Sequence, residues 1–247
     1  MINLNKDEKT EPLGNNMQIV VSPDHTFGTD AILLADFASI KSKDIACDMG
    51  TGCGIIPLIW CKGKTGSITA IDIQPKAISQ LERSIELNKL EGRINAVNCD
   101  LRNLKGILDF GAYSLVTMNP PYKPVGTGIE SVAESERIAR HEVTCNIDDA
   151  VLAAAKLLKF GGRFCMCHRP ERLCDIIVSM RNGGVEVKRI RFVCQSEGKA
   201  PWLVLVEGKR GSKSHLTVER NLIMYDSEGK PTDEFRAMFG DYMDGHQ

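Results

Sequence analysis

The sequence predicts an α/β protein whose central sheet is mostly parallel. Short β-rich runs alternate with helical patterns along most of the 247 residues, and this alternation is typical of βαβ units. The last two β-rich runs are separated only by the short stretch Cys194 to Pro201. A parallel connection needs about a dozen residues or more, so we expect this pair to form an antiparallel hairpin at one sheet edge.

Strands and helices are predicted in alternating order along the chain. The predicted strands are Ile45 to Asp48, Ser67 to Asp72, Ile94 to Asn98, Ser114 to Asn119, Gly162 to Cys167, Val185 to Val193 and Trp202 to Glu207. The predicted helices are Asp30 to Ile40, Ile55 to Lys62, Lys76 to Leu90, Ile147 to Phe160 and Glu171 to Asn182. Apolar residues recur at helical spacing in several of these helices, and the pair Gly161 and Gly162 is expected to end the fourth.

The chain length suits one large α/β domain. We predict a single domain over residues 1–247, made of an N-terminal extension and helix (1–40), a core (41–207) and a C-terminal extension (208–247). Residues 123–146 form a long connection rich in Gly, Ser and Glu, and loops of this length are usually functional or mobile.

Composition excludes several classes of protein. With 43% hydrophobic and 26% charged residues and a net charge of -1, the chain is unlike disordered, collagen or coiled-coil sequences. No apolar run reaches the roughly 18 residues of a membrane span, and Met1 to Glu11 lacks a signal-peptide pattern. We therefore expect a cytoplasmic protein with no membrane partner. Residues 188–220 are locally basic, which suits either a solvated hairpin or phosphate contacts.

The cysteines do not predict a metal site. Nine are present, but no two stand at the C-x-x-C spacing of a zinc site. Cys165 and Cys167 fall on one face of a predicted strand without a second ligand pair. We expect most of the cysteines to act as small apolar residues in a reducing compartment.

A glycine-rich turn, Asp48 to Gly54, lies directly between the first predicted strand and its helix. Glycines there permit positive φ and close approach of a ligand to the backbone, and the helix N-terminus offers free amides. The third glycine does not stand at the spacing of the dinucleotide fingerprint, and an acidic residue leads the motif. A pyrophosphate is disfavoured by Asp48, whereas a cation is not.

Two further carboxylates follow at the ends of the next strands. Asp72 and Asp100 should converge with the glycine turn, because ligands of an open parallel sheet bind outside the carboxyl ends of its strands. The carboxylate of Asp72 suits hydrogen bonding to ribose hydroxyls. Asp100 and the amides that follow it suit the edge of an adenine.

The fourth strand ends in Asn119, Pro120, Pro121 and Tyr122. Two prolines remove two backbone donors and stiffen the chain, so the site is rich in fixed acceptors. The amide oxygen of Asn119 and the carbonyl of Pro120 can each accept one hydrogen of an NH2 group. Tyr122 offers a ring on which a planar base or amide can stack.

These motifs together resemble class I S-adenosylmethionine-dependent methyltransferases that act on planar amino groups. The resemblance implies the strand order 3-2-1-4-5-7-6 with strand 7 antiparallel, in a seven-stranded Rossmann-like sheet with helices on both faces. It also implies that the glycine turn contacts the methionine part of the cofactor, Asp72 the ribose, and Asp100 with Leu101 the adenine. The full set of implied cofactor residues is Thr29, Asp48, Gly50, Thr51, Gly52, Gly54, Asp72, Ile73, Asp100, Leu101 and Asn119.

Three further segments resemble the bacterial family that methylates N6 of the adenine 3′ of the anticodon in a valine tRNA. They are Phe27 to Asp30, Ala139 to Glu142 and Leu205 to Arg210. This resemblance implies a tRNA substrate. The candidate RNA contacts are Arg140, His141, Lys209, Arg210 and Lys213.

Other functions remain open at this point. The same tetrad occurs in methyltransferases of a glutamine amide in release factors, and DNA adenine is a second alternative substrate. A non-catalytic RNA-binding module and a nicotinamide-dependent reductase fit the motifs less well. A monomer is favoured, and the sequence does not determine which tRNA is used.

Overall fold

The structure is a computed structural model that describes residues 3–63, 66–120 and 146–242. Its helices are α1 Thr29–Phe37, α2 Ile55–Cys61, α3 Pro75–Leu87, α4 Ile147–Leu157, α5 Leu173–Asn182 and α6 Asp233–Phe239. Its strands are β1 Lys9–Gly14, β2 Met17–Val21, β3 Ala46–Met49, β4 Ile68–Asp72, β5 Ile94–Asn98, β6 Tyr113–Met118, β7 Leu158–His168, β8 Val185–Ser196, β9 Pro201–Arg210, β10 Thr217–Val218 and β11 Leu222–Tyr225. Two short 3₁₀ turns cover Pro170–Arg172 and Gly240–Tyr242.

The seven core strands lie in the order β5-β4-β3-β6-β7-β9-β8. Strand β9 is antiparallel to both of its neighbours, and the other core pairs are parallel. This is the order that the methyltransferase resemblance implied. The carboxyl ends of β3 to β7 therefore meet at one edge of the sheet, which we call the carboxyl edge, and ligands of such sheets bind there.

The sheet is larger than the predicted seven strands. Strands β10 and β11 pair in parallel with the outer side of β8 and bring the total to nine strands among the described residues. Strands β1 and β2 form a separate antiparallel hairpin. The added strands of the main sheet are only two and four residues long, too short to show the alternation that identifies a strand in a sequence.

The junction of α4 and β7 also differs from the prediction. The helix ends at Leu157 instead of Phe160, and β7 begins at Leu158, four residues before the predicted start. Leu158 pairs with Tyr113 of β6, and its carbonyl accepts a hydrogen bond from the Arg210 guanidinium. These contacts come from distant parts of the chain, so local periodicity did not reveal them.

Two arginines of the sheet hold the C-terminal end of α1. Arg163 donates to the Ala38 carbonyl at 2.7 Å, and Arg189 donates to the Phe37 carbonyl at 2.6 Å. Between them, Glu207 Oε2 accepts from both guanidinium groups at 3.1 Å. Since the last carbonyls of a helix lack partners within it, these bonds fix α1 across the sheet, with its N-terminus at the carboxyl edge.

Glu207→Gln is expected to lower the free energy of unfolding by about 1–3 kcal/mol, because two partly buried guanidinium groups lose a shared counter-charge. The loss stays moderate because Asp44 and Glu219 each still pair with one of the arginines. Urea denaturation measures the effect. Glu228→Gln is the control, since its ion pair with Lys230 is exposed on both sides and should contribute less than about 0.5 kcal/mol. Equal stability of the two variants would contradict the assigned role of Glu207.

Both terminal segments pack against the core helices. In the N-terminal segment, the Val20 amide donates to Ser84 Oγ at 2.9 Å and Gln80 Nε2 donates to the Val20 carbonyl at 2.7 Å, which ties the hairpin to α3. In the C-terminal segment, Phe235 is buried, and the rings of Phe27 and Tyr242 lie 5.7 Å apart. Within the described part of the chain, no helix is both long and apolar enough to span a bilayer.

Candidate functional site

The glycine turn after β3 has the backbone geometry that its sequence predicted. Gly50, Gly52 and Gly54 have φ values of 65°, 55° and 85°, a region that other L-residues enter at a cost. Gly54 is the N-cap of α2, and a Cβ at this position would overlap the Leu81 side chain. The Thr51 amide donates to the Ile71 carbonyl at 2.9 Å, which holds the turn against the end of β4.

A buried carboxyl group lies beneath this turn. Asp48 is only 1% exposed, and its Oδ1 accepts a hydrogen bond from Thr117 Oγ1 at 2.7 Å. Burial raises the pKa of Asp48 to about 7; Thr117 and Thr51 act against this rise, and the nearby Asp72 adds to it. The Thr51 hydroxyl is enclosed and has no hydrogen-bond partner within 3.5 Å in the described structure. An enclosed hydroxyl without a full bond marks a place where a ligand can supply one.

The carboxylate of Asp72 is held in one orientation. One oxygen accepts the Gly52 amide and the other accepts the Gln74 amide, both at 2.9 Å. Two bonds leave lone pairs free, since a carboxylate has about four acceptor sites. The next residue, Ile73, is 45% exposed. The end of β4 thus presents an oriented acceptor beside an uncovered apolar surface, which suits a ribose and the face of a base.

Asp100 is engaged differently from the sequence expectation. Arg102 donates to both of its oxygens through Nε at 3.0 Å and to Oδ2 through Nη2 at 2.6 Å, and the Arg102 amide adds a bond to Oδ1 at 2.9 Å. These bonds to Arg102 lower the pKa of Asp100. A hydrogen bond from an adenine to this carboxylate would require the Arg102 side chain to move. Leu101 is partly buried and packs against the core.

The amide of Asn119 is oriented by two neighbours. Its Nδ2 donates to Asp30 Oδ2 at 3.1 Å, and its Oδ1 lies 3.0 Å from the thiol of Cys167. A carboxylate accepts and does not donate, so the NH2 group must face Asp30 and the oxygen must face the thiol. Asp30 stands in the first turn of α1 and Cys167 near the end of β7, so three elements converge at the end of β6.

The structure brings some of the predicted site residues together. The glycine turn, Asp72 with Ile73, and Asn119 followed by Pro120 all lie at the carboxyl edge, and Thr29 begins α1 beside Asp30. Pro121, Tyr122, Arg140 and His141 lie outside the described residues.

The structure does not place the basic candidates Lys209, Arg210 and Lys213 with Asn119. Strand β9 is antiparallel to β7, so Lys209 pairs with Arg163 in the middle of β7, whereas Leu205 pairs with Cys167 near its end. Lys209 and Arg210 therefore lie at the opposite edge of the sheet. Lys213 follows them, and its carbonyl accepts from Lys188 Nζ at 2.9 Å. Contact of these three residues with RNA remains a proposal for a surface far from the reacting base.

Sequence reasoning missed Asp30, Cys167 and Thr117 as parts of the site. Asp30 ends the segment Phe27 to Asp30 of the family resemblance, but the sequence assigns it no role, and its side chain does not cap this helix. Cys167 was interpreted as a small apolar residue. Asn119 and Asp30 are 89 positions apart, so local spacing carries no sign of their contact.

The described residues contain no group of three or more potential metal ligands. His168 is buried near Arg169 and Arg172. Burial, followed by the charges of Arg172 and Arg169, lowers the pKa of His168 to about 4. Its Nδ1 accepts from the Arg169 amide at 2.8 Å, so near neutral pH the ring is uncharged with its proton on Nε2.

Comparison with known proteins agrees with this fold. The model of the TRM5/TYW2 methyltransferase domain family matches residues 35–152. A protein of Tolumonas auensis named tRNA1(Val) (adenine(37)-N6)-methyltransferase is 28% identical, over 87% of this chain and 88% of its own length. The resemblance that the motifs indicated is therefore confirmed along most of the chain.

Solved methyltransferase structures have the same fold. A predicted O-methyltransferase of Agrobacterium tumefaciens superimposes with a TM-score of 0.67 at 19% identity, covering 85% of this chain and 95% of that one. The TYW2 protein of M. jannaschii, solved in complex with AdoMet, gives a TM-score of 0.55 at 14% identity, covering 85% and 88%. The chain thus has the fold of class I methyltransferases.

Proposed function

We propose that this protein transfers the methyl group of S-adenosylmethionine to N6 of an adenine in tRNA, namely adenine 37 beside the anticodon of a valine tRNA. The observation that carries the proposal is the oriented amide of Asn119, placed at the same sheet edge as the glycine turn. The name of the Tolumonas auensis relative supports the choice of substrate.

The residues at the carboxyl edge fit the proposed cofactor. The positive-φ turn allows the backbone to approach a ligand closely, and the enclosed Thr51 hydroxyl forms no hydrogen bond within 3.5 Å among the described residues. Asp72 has lone pairs for ribose hydroxyls, and Ile73 has free apolar surface for the base. Asp48 is one of the nearby groups that can carry a negative charge toward a cationic ligand. When bound, S-adenosylmethionine supplies an electrophilic methyl group.

The role of Asn119 follows from its two contacts. Asp30 holds the NH2 end of the amide and so keeps Oδ1 pointed away from α1. Oδ1 can then accept one hydrogen of the adenine N6 amine when the Cys167 thiol gives up its weak hydrogen bond. The Pro120 carbonyl is assigned the second amine hydrogen. Two acceptors draw the amine out of conjugation with the ring, which leaves its lone pair available to bond to the methyl carbon. The S–CH3 bond would break as the N–CH3 bond forms, and the methylated amine would lose one proton to solvent. Positioning of this kind can contribute about 7–11 kcal/mol.

The remaining assignments extend the proposal. Tyr122 stacks on an adenine that is extruded from, or already unstacked in, an RNA loop, and Pro121 stiffens the chain beside it. Arg140 and His141 contact the RNA. We also propose that the protein works as a cytoplasmic monomer, and that residues 1–247 form one domain because both terminal segments pack on core helices.

Cofactor affinity is expected to rise with pH. Because the pKa of Asp48 is raised to about 7, most of this carboxyl is neutral at pH 6, and a cationic ligand favours its ionised form. The dissociation constant should fall roughly fivefold to tenfold between pH 6 and 7.5. In the free protein, the folded state binds the Asp48 proton more tightly than the unfolded state does. This proton contributes to the free energy of unfolding in full below about pH 4, and the contribution is lost as pH rises from about 4 to 7.

Calorimetric titration across this pH range measures the effect, and Asp48→Asn should give a flat profile. A slope in the variant as steep as in the wild type would assign the pH dependence to another group.

The function is tested by incubating the purified protein with methyl-labelled S-adenosylmethionine. Unmodified bulk tRNA, duplex DNA and a release factor are supplied in separate reactions, and the labelled product is identified after digestion. We expect N6-methyladenosine from tRNA alone. Label in the release factor would show that the proposed substrate is wrong but would agree with the fold and the proposed cofactor. No transfer to any of the three would overturn the proposal.

A further inference from the structure

We propose that Arg169 binds a phosphate group of the RNA substrate beside the adenine that receives the methyl group. This inference rests on the proposed function and adds to it a positioning residue for the polynucleotide backbone. It comes from a mostly buried side chain whose Nε has no hydrogen-bond partner in the described part of the chain.

The Nε–H of Arg169 lacks the hydrogen bond that a buried donor needs. The Arg169 side chain is only 12% exposed, and its Nε is enclosed with no hydrogen-bond partner among the described residues. Among the described residues its nearest counter-charge is Glu171, 3.8 Å away, whose own side chain is 65% exposed. Burying a charge is costly unless it is paired and hydrogen-bonded. A guanidinium held in this state is therefore prepared for an anionic ligand.

The position of Arg169 fits a contact with the substrate. Cys167 lies on the face of β7 that packs against the α1 side of the sheet, and its thiol is 3.0 Å from Asn119 Oδ1. Arg169 follows two residues later and is still extended, with φ -65° and ψ 138°. Alternate residues of an extended chain share one face and lie about 7 Å apart. Arg169 thus emerges at the carboxyl edge on the same face as the Asn119 contact.

The charged neighbours of Arg169 leave it without a close counter-charge. Arg172 follows it but is engaged with Asp175 at 2.6 Å. His168, which precedes it, is buried and uncharged near neutral pH, and the two arginines help to keep it so. The two arginines are thus matched in number by the carboxylates of Glu171 and Asp175, but both carboxylates are more than half exposed, whereas the Arg169 side chain is only 12% exposed.

Phosphate is the anion that suits both this group and the substrate. The planar guanidinium fork matches two phosphate oxygens, which a point-like ammonium does not. Every nucleotide within an RNA strand has a phosphate group on the 5′ side and on the 3′ side of its ribose. Contacts to the backbone fix the register of a nucleic acid and carry no sequence information. Arg169 would therefore set the position of the target nucleotide, while Asn119 acts on its amine.

The test compares Arg169→Met and Arg169→Lys with Arg181→Met. Arg181 is a suitable control because it lies on α5, is 61% exposed and has its own partner, Glu186, at 3.5 Å. Binding of an unmodified tRNA transcript is measured by filter retention over a range of salt concentrations. Methyl transfer, cofactor binding and the melting temperature are measured on the same preparations.

We expect Arg169→Met to weaken tRNA binding about tenfold and to reduce the slope of log K against log salt by about one unit. Arg169→Lys should keep most of the salt slope but lose part of the affinity. In both variants KM for tRNA should rise more than kcat falls, with cofactor affinity unchanged. Arg181→Met should match the wild type in every measurement.

Three outcomes would overturn this proposal in distinguishable ways. If the wild type methylates tRNA and Arg169→Met binds it with unchanged affinity and salt slope, the phosphate contact is wrong but the proposed function stands. If the variant loses thermal stability without a change in salt slope, Arg169 is structural only. If the wild type labels a release factor and not tRNA, the proposed function fails, and the RNA contact fails with it.

Discussion

Asn119→Ala is expected to reduce methyl transfer by at least roughly 100-fold, the scale seen when one preorganised polar group is removed from an active site, and to leave cofactor affinity within about twofold. The amide oxygen is the acceptor that orients the reacting amine, whereas the glycine turn and Asp72 do not depend on it. Transfer of labelled methyl groups to tRNA and calorimetric titration of the cofactor measure the two effects separately.

Two neighbouring variants control this experiment. Cys167→Ala removes the thiol that donates a weak hydrogen bond to Asn119 Oδ1. Activity should therefore remain within a few-fold of the wild type. Asp30→Asn keeps the shape of the side chain but removes the carboxylate that orients the Asn119 amide. The Asn119 amide can then flip by 180°, and activity should fall roughly tenfold or more. Full activity in Asn119→Ala would contradict the proposed mechanism. Full activity in Asp30→Asn would contradict the role of Asp30 in orienting the Asn119 amide.

Gly54→Ala is expected to lower the free energy of unfolding by about 2–5 kcal/mol and to weaken cofactor binding. The new Cβ would overlap Leu81, which is fully buried in the core, and the residue must also keep a φ of 85°. Overpacking of this kind costs about 1–3 kcal/mol, and the left-handed backbone adds about 1–2 kcal/mol. Urea denaturation and calorimetry give the two values.

Gly52→Ala is the matched control for the same turn. Its φ of 55° imposes a similar backbone strain, but no atom lies within 4 Å of the added Cβ, so the loss should be only about 1–2 kcal/mol. The double variant Gly54→Ala with Leu81→Ala provides a second test. If the overlap is the cause, the double variant should lose less stability than the two single variants added together. Strict additivity would leave backbone strain as the sole explanation.

The sequence by itself determined those features that depend on neighbouring residues. The glycine turn from Asp48 to Gly54 follows from a strand, three glycines and a helix in immediate succession. The antiparallel hairpin of β8 and β9 follows from a connection too short for a crossover. The placement of Asp72 and Asn119 at one edge follows from the rule that parallel strands end together. Each of these inferences needs only short-range patterns and the general geometry of sheets.

The tertiary structure decided those features that depend on distant contacts. Asp30 reaches Asn119 across 89 positions. The antiparallel course of β9 carries Lys209 and Arg210 to the edge opposite Asn119, although the sequence resemblance had grouped them as substrate contacts. That the Arg169 Nε is enclosed without a hydrogen-bond partner among the described residues is visible only in the folded structure. Burial and hydrogen bonding between remote residues are properties of the packed chain, so no local spacing in the sequence encodes them.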